Sequence, residues 1–301
     1  AMLHYVSDIC FPIVMMNGNR TVAAPWNIFG DHRDSMAMRD AGWLQLYVES
    51  AQEALDTIIQ AYRIAENHAV MTPVMVCMDG YVLTHTYEVV DVPSQAAVDE
   101  FLPAYAPNEN VLDLAAPKSC CISVPPEWQT EYRYKQQEAM EAAKRIIGEV
   151  DEEFGVRFGR RYGGLMEEYR CRDADYVLMT MGTVAGTTRV VVDKLRNEGV
   201  RAGLVKIRSF RPFPRERIAA LAAKVKAIGI VDRDLSFGYE GALGTEVRAA
   251  VRGAAPTVNF IAGLSGRDVT KEHIEAMYRQ VAAAGGGEAR EMQFVGLRWE
   301  Q

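Results

Sequence analysis

The sequence predicts an α/β protein of two open, mostly parallel sheets, and three observations carry that reading. Short apolar runs ended by Gly, Asn or Asp alternate with stretches whose apolar residues recur every three and four positions, the switch of period that marks βα units. Four such units follow one another between residues 174 and 281. Between the two alternating blocks lies a stretch containing Pro93, Pro103, Pro107, Pro117, Pro125 and Pro126, a composition that reads as a long connector. A length of 301 residues suits about two domains.

In chain order, "FPIVMMN" (Phe11–Asn17) is a short continuous apolar run ended by Asn-Gly and predicts a buried strand. The segment from Asp40 begins near a capping aspartate and predicts a helix. From Ser50 onward Ala51, Ala54, Leu55, Ile58, Ile59, Ala61, Tyr62 and Ala65 form one apolar face. "TPVMVCMDG" then predicts a strand buried on both faces, closing a βαβ unit. After the connector, "EWQTEYRYKQQEAMEAAKRIIGEVDEEFGVRFG" predicts a charged helix bridging the two blocks. The second block reads as strands at "ADYVLMTMG", "VRAGLVKIRSFRPFP", "KAIGIVDRD" and "TVNFIAGL". Helices follow at "TVAGTTRVVVDKLRNEG", "RERIAALAAKV", "GALGTEVRAAVRG" and "TKEHIEAMYRQVAAA". Residues 282–301 read as a tail.

Composition excludes several classes. A net charge of −7 is the wrong sign for a nucleic-acid binder. No apolar run approaches the ~18 residues that a membrane span requires, and no signal peptide is visible, so a cytoplasmic location is the default expectation. The cysteines Cys10, Cys77, Cys120, Cys121 and Cys171 form no CxxC pair, so no iron–sulfur cluster and no metal site is expected on this chain. The histidines show no metal-ligand spacing either; His68 and His273 lie on charged helical stretches and read as solvent-facing. His85, just past a strand end, is a candidate to line a cleft.

Two glycine-rich turns, "MGTVAGTT" and "SFGYEGALGTEV", stand where strands give way to helices and could cradle phosphate on helix amides. Neither has the GxGxxG spacing, and a plain structural turn is the better reading of both. "RSFRPFP" places Arg208 and Arg211 at a rigid basic turn, suited either to an anion or to a subunit contact. The most unusual stretch is Gly18–Asp40. There Arg20 leaves an apolar run beside the small, apolar "TVAAPWNIFG", and Asp31, His32, Arg33, Asp34, Arg39 and Asp40 crowd together soon after. A guanidinium in such a place must be satisfied, and its planar fork suits a carboxylate. Residue chemistry alone leaves two readings open: a ligand carboxylate, or an internal network with Asp31 or Asp34.

"GNRTVAAPWNIFGDHRDSMAMRDAGWLQLYVESAQEALD", "VMVCMDGYVLTH" and "FRPFP" together resemble the α subunits of the 2-oxoacid:ferredoxin oxidoreductases, most of all those acting on pyruvate. The resemblance runs from Ala1 to the helix near Met277. It implies that residues 1–92 are the C-terminal part of a pyrimidine-type thiamine-diphosphate domain. Residues 93–173 would be the connector and bridging helix, and 174–281 a transketolase C-terminal-like domain. It further implies thiamine diphosphate with Mg²⁺ shared with a β subunit, [4Fe-4S] clusters on other subunits, coenzyme A as cosubstrate, and γ and δ subunits and ferredoxin as partners. The expected reaction is oxidative decarboxylation of pyruvate. The alternatives are a branched-chain or aryl 2-oxoacid, or a non-catalytic assembly subunit. Arg20 matches the arginine such enzymes aim at the substrate carboxylate, with Ala23 beside the alkyl end. Asp31, His32, Asp34, Asp79 and His85 would hold that arginine turn from behind. No catalytic residue is assigned to this chain, and its cofactor contacts are left unassigned. The family's opening Tyr-Pro-Ile-Thr-Pro motif and its cofactor-activating glutamate are absent from this sequence, so the chain is expected not to be catalytic by itself.

Overall fold

The computed structural model describes residues 2–107, 111, 113–119, 122–287 and 292–298. Cys120 and Cys121 lie outside them. Two sheets are present, as the sequence predicts: four strands in one, six in the other, with helices packed on them.

The chain enters through α1 (Met2–Asp8), then β1 (Val14–Asn19), the short α2 (Arg33–Met36), β2 (Leu44–Val48), α3 (Ala51–Ala65) and β3 (Val74–Asp79). β3 lies between β1 and β2, parallel to both, with Val14 opposite Val74 and Leu44 opposite the same residue. Helix α3 starts where the sequence places it. Ser50 is its N-cap, its side chain accepting from the Glu53 N–H. The helical reading upstream of Ser50 is corrected, because Leu44–Val48 is a strand. All five of its residues are buried, so "LQLYV" shows no alternation, and a run this short does not separate strand from helix.

α4 (Val82–His85) and α5 (Gln95–Phe101) precede the long α6 (Pro126–Phe158), which ends on Gly159 in the left-handed conformation. Helices α3 and α6 cover one face of the first sheet through Leu46, Val76, Ile64, Ile147 and Phe154.

The second sheet runs β10-β9-β8-β5-β6-β4. Its members are β4 (Met166–Tyr169), β5 (Tyr176–Thr180), β6 (Ala202–Ile207), β8 (Ala227–Asp232), β9 (Thr257–Ile261) and β10 (Met292–Phe294). Helices α7 (Val184–Asn197), α8 (Arg215–Ala222), α9 (Ala242–Val251) and α10 (Lys271–Gly285) alternate with them. Every pairing is parallel except β4 with β6. The edge strands β4 and β10 fall where the sequence suggested connector and tail.

The two sheets are joined by a strand that changes sheet. After β6, residues Ser209–Arg211 form β7, which pairs antiparallel with β2 of the first sheet. "RSFRPFP" is therefore neither an anion site nor a free basic turn. Arg208 is fully buried, donating to the Gly164 carbonyl at 3.1 Å, to Thr57 Oγ1 at 3.1 Å and to Gln60 Oε1 at 2.9 Å. Arg211 reaches Glu246 at 2.5 Å. The outer face of the first sheet, with Tyr47, Met75 and Cys77, packs into the same core as Phe210, Met179 and Ile207.

A buried charge cluster backs this junction. Lys206 Nζ lies 2.5 Å from Glu53 Oε2, both side chains are sealed from water, and the Arg208 guanidinium is 3.6 Å from Glu53 Oε1. Removing one member of such a cluster leaves an uncompensated charge. Lys206→Met should therefore cost about 3–5 kcal/mol in urea denaturation. Adding Glu53→Gln to it should recover part of that loss.

Candidate functional site

The carboxyl ends of both sheets meet at one place, and the groups gathered there come from β1, β3, β5, β8, β9 and the loops after them. Asp79, the last residue of β3, is at the centre and is 1% exposed. Its Oδ1 lies 2.9 Å from His32 Nε2 and also pairs with the Arg233 guanidinium. Its Oδ2 accepts from the Thr183 backbone N–H at 2.8 Å and from the Thr183 hydroxyl. Burial works against the charged carboxylate, but Arg233, His32 and Thr183 outweigh it and hold Asp79 well below the usual carboxylate range.

Thr183 stands at the start of α7, so a carboxylate from the first sheet occupies the helix N-terminus of the second. That is the chemistry a bound phosphate would otherwise find there. Gly182 has φ +63, and a Cβ on it would come within 2.9 Å of Asp79 Oδ2. The turn "MGTVAGTT" is thus built around an internal anion. The second glycine-rich turn follows the same plan. Asp232 accepts from the Leu243 and Gly244 N–H groups at 2.9 Å each and from Asn259 Nδ2 at 2.7 Å, while Asp234 accepts from Ala242 N–H at 3.2 Å. Burial pushes Asp232 up to about 7 against those three donors.

The loop from Arg20 to Asp34 folds over this junction. Asp34 does not touch the Arg20 guanidinium; it accepts from the Arg20 backbone N–H at 3.1 Å and from Asn19 Nδ2 at 2.7 Å, fixing the start of the loop. Asp31 accepts from Arg33 Nε at 3.0 Å and from the Ser265 N–H at 3.1 Å. The Arg20 guanidinium donates to the Ile28 carbonyl and, at 3.3 Å, to Thr84 Oγ1. Among the described residues no carboxylate lies within ion-pair distance of it. Its stem crosses Gly80, where a Cβ would come within 2.9 Å of Arg20 Cδ.

Ala23 has φ +65 and sits at the exposed tip of the loop, before a cis Ala24–Pro25 bond. Trp26 and Ile28 are exposed, and Phe29, Tyr81 and His85 form a row, Phe29 to Tyr81 at 4.6 Å and Tyr81 to His85 stacked at 4.9 Å. His85 Nδ1 lies 2.8 Å from Thr84 Oγ1. His32 and Asp79 thus lie together in the buried junction, Asp31 and Asp34 brace the loop on either side, and His85 belongs to the exposed row. Arg233, Thr183 and Ser265, which complete the junction, escaped sequence reasoning. The available signal was "VDRD", a pair of charges directly after a fully buried apolar strand.

The exposed aromatic row beside an arginine fits the organic part of a planar cofactor and an acid substrate. A diphosphate fits poorly, since the helix N-termini that would bind it already hold Asp79, Asp232 and Asp234. Among the described residues no group of three or more His, Cys, Asp or Glu is placed to hold a metal ion, and no helix is long and apolar enough to cross a membrane. Burial pushes the thiols of Cys77 and Cys171 up to about 12, which leaves them inert.

The depressed Asp79 carboxyl carries a pH signature. Its folded-state pKa lies below the unfolded value of about 3.9, so its stabilisation is complete above that pH and is lost as pH falls through and below it. Asp79→Asn should be less stable than wild type by about 3–5 kcal/mol at neutral pH. In urea denaturation followed downward from neutral pH, the gap between the two proteins should begin to narrow near about pH 4 and go on narrowing as the pH falls further.

Two family models match the chain. One is pyruvate flavodoxin/ferredoxin oxidoreductase, thiamine-diphosphate-binding, over residues 1–152; the other is pyruvate:ferredoxin oxidoreductase core domain II, over residues 174–274. The pyruvate synthase subunit PorA of Methanothermobacter thermautotrophicus is 44% identical over 289 residues, covering 96% of this chain and 74% of the relative. The ketoisovalerate oxidoreductase subunit VorA of Pyrococcus abyssi is 42% identical over 279 residues, covering 92% of this chain and 70% of the relative. In fold, the chain is similar to a 2-oxoglutarate:ferredoxin oxidoreductase from Magnetococcus marinus, with a TM-score of 0.62 at 15% identity. That match covers 94% of this chain and 50% of the other, so the chain spans half the length of that solved structure. The chain belongs to the α subunits of the 2-oxoacid:ferredoxin oxidoreductases, enzymes that act on the oxo group of their donor with an iron–sulfur protein as acceptor.

Proposed function

We propose that the chain is the α subunit of a pyruvate synthase, converting pyruvate and coenzyme A to acetyl-CoA and CO₂ with reduction of ferredoxin, and that Arg20 binds the substrate carboxylate. The observation that carries this is the state of the Arg20 guanidinium. It is half-buried at the carboxyl end of a parallel sheet, held by two neutral oxygens, and has no carboxylate within ion-pair distance among the described residues. A guanidinium so placed gains most from a planar anion supplied from outside. The apolar turn from Val22 to Phe29 suits the alkyl end of a 2-oxoacid, with Ala23 at its tip.

On this reading residues 1–92 and 174–281 form the two α/β domains, bridged by 93–173. A β subunit supplies the groups for the diphosphate and its Mg²⁺, and iron–sulfur clusters on other subunits, with γ and δ subunits completing the complex, carry electrons to ferredoxin. Cleavage of the bond between the oxo and carboxyl carbons is the chemistry that thiamine diphosphate supplies when bound. This chain's residues orient the acid: Arg20 fixes the carboxylate and Asp34 fixes the Arg20 backbone.

In the assembled complex, Arg20→Ala should raise the KM for pyruvate by roughly 10- to 100-fold, the loss expected for a charge-assisted hydrogen bond, while subunit assembly is unchanged. Normal saturation in that variant would overturn the assignment. A second substrate class is favoured by one observation: the ketoisovalerate relative is almost as similar as the pyruvate relative, 42% against 44%. Turnover on pyruvate against 2-oxoisovalerate decides between them, and a higher kcat/KM on the branched acid would replace pyruvate.

A further inference from the structure

We propose that Arg233, directly after β8 of the second sheet, is the positioning residue for the Arg20 loop of the first sheet, so that the substrate-facing loop is set from the opposite domain. Its importance to substrate binding rests on the reading of Arg20 above. Its action on the loop does not.

Arg233 is 6% exposed and uses both its main chain and its side chain. Its carbonyl accepts from the His32 N–H at 2.8 Å. Its Nη2 donates to the Gly30 carbonyl at 2.8 Å, its Nη1 pairs with Asp79, and its Nε reaches the Gly263 carbonyl at 3.4 Å. One residue therefore grips the chain on both sides of Asp31, whose own carboxylate is held by Ser265 of the same domain.

The grip is transmitted along the loop. Thr21 N–H donates to the Phe29 carbonyl at 3.1 Å, and the neighbouring Ile28 carbonyl accepts from the Arg20 guanidinium. Gly30 is wedged, since a Cβ there would lie 2.6 Å from the Asn19 carbonyl oxygen and 2.9 Å from that of Gly80. A shift of Gly30 thus moves the two carbonyls that close the loop and aim the guanidinium. A planar fork is needed at position 233 because two acceptors from different segments, Asp79 and Gly30, are bridged at once. A lysine has its donors on a single nitrogen and lacks the fork that reaches the two acceptors from two nitrogens.

The test is Arg233→Lys in the full complex, read by hydrogen–deuterium exchange and by steady-state kinetics. The expected result is faster exchange confined to peptides covering residues 20–32, with strands β2 and β5 unchanged. The KM for the 2-oxoacid should rise on the order of tenfold or more and kcat should change less. Exchange over 20–32 equal to wild type overturns the proposal. Faster loop exchange with an unchanged KM keeps the positioning role and overturns the Arg20 assignment instead. Because a lysine here could unfold the junction, Arg233→Gln with Asp79→Asn provides a neutral pair, for which the same localised loosening is expected. Global unfolding of both variants would make Arg233 a determinant of folding rather than of loop position, and would also overturn the proposal.

Discussion

Of the contacts that join the two sheets, the most directional converge on a single buried carboxylate. Asp79 leaves the end of β3 and receives a guanidinium, an imidazole, a backbone amide and a hydroxyl, the last two from the start of α7. Removing a carboxylate from water costs several kcal/mol, and the cost is recovered only where charge and hydrogen bonds converge in good geometry. That convergence requires β3, α7 and β8 to stand in one relative arrangement. These directional contacts add to the shared apolar core and the β7 crossing, which by themselves leave the angle between the sheets less sharply set.

The same economy explains why two glycine-rich turns, each at the proper end of a parallel sheet, hold no room for an outside phosphate. In both, an acidic side chain of the chain itself has taken the helix N-terminus: Asp79 at α7, and Asp232 with Asp234 at α9. Part of the acidic composition is therefore structural. Gly182 and Gly241 let those carboxylates approach, since a Cβ at Gly241 would fall 2.1 Å from Asp232 Cγ.

The βα alternation of the second sheet was legible because its helices are amphipathic and its central strands are bounded by clear turn residues. β2 was not legible, since "LQLYV" is buried on both faces and lies just ahead of a strong helical pattern. β4 and β10 are short edge strands whose pairing depends on distant neighbours. At the site, local composition was enough to single out Arg20 and the Asp31–Asp34 cluster. It could not divide the labour among them: that Asp34 binds a backbone amide, that Asp31 faces Ser265, and that Asp79 is reserved for Arg233 are consequences of two sheets meeting end to end. Arg208 and Arg211 misled for the same reason, because their partners on α3 and α9 are far away in sequence.

The strand that changes sheet has a bearing on how the protein is made. Until Ser209–Arg211 arrives, β2 has an open edge and the first sheet ends in unpaired amides and carbonyls. A ribosome releases that strand only after the connector, the long helix and half of the second sheet have emerged. The early part of the chain therefore waits, incompletely paired, for a segment of high sequence separation, whose loop-closure cost must be met before the edge is covered.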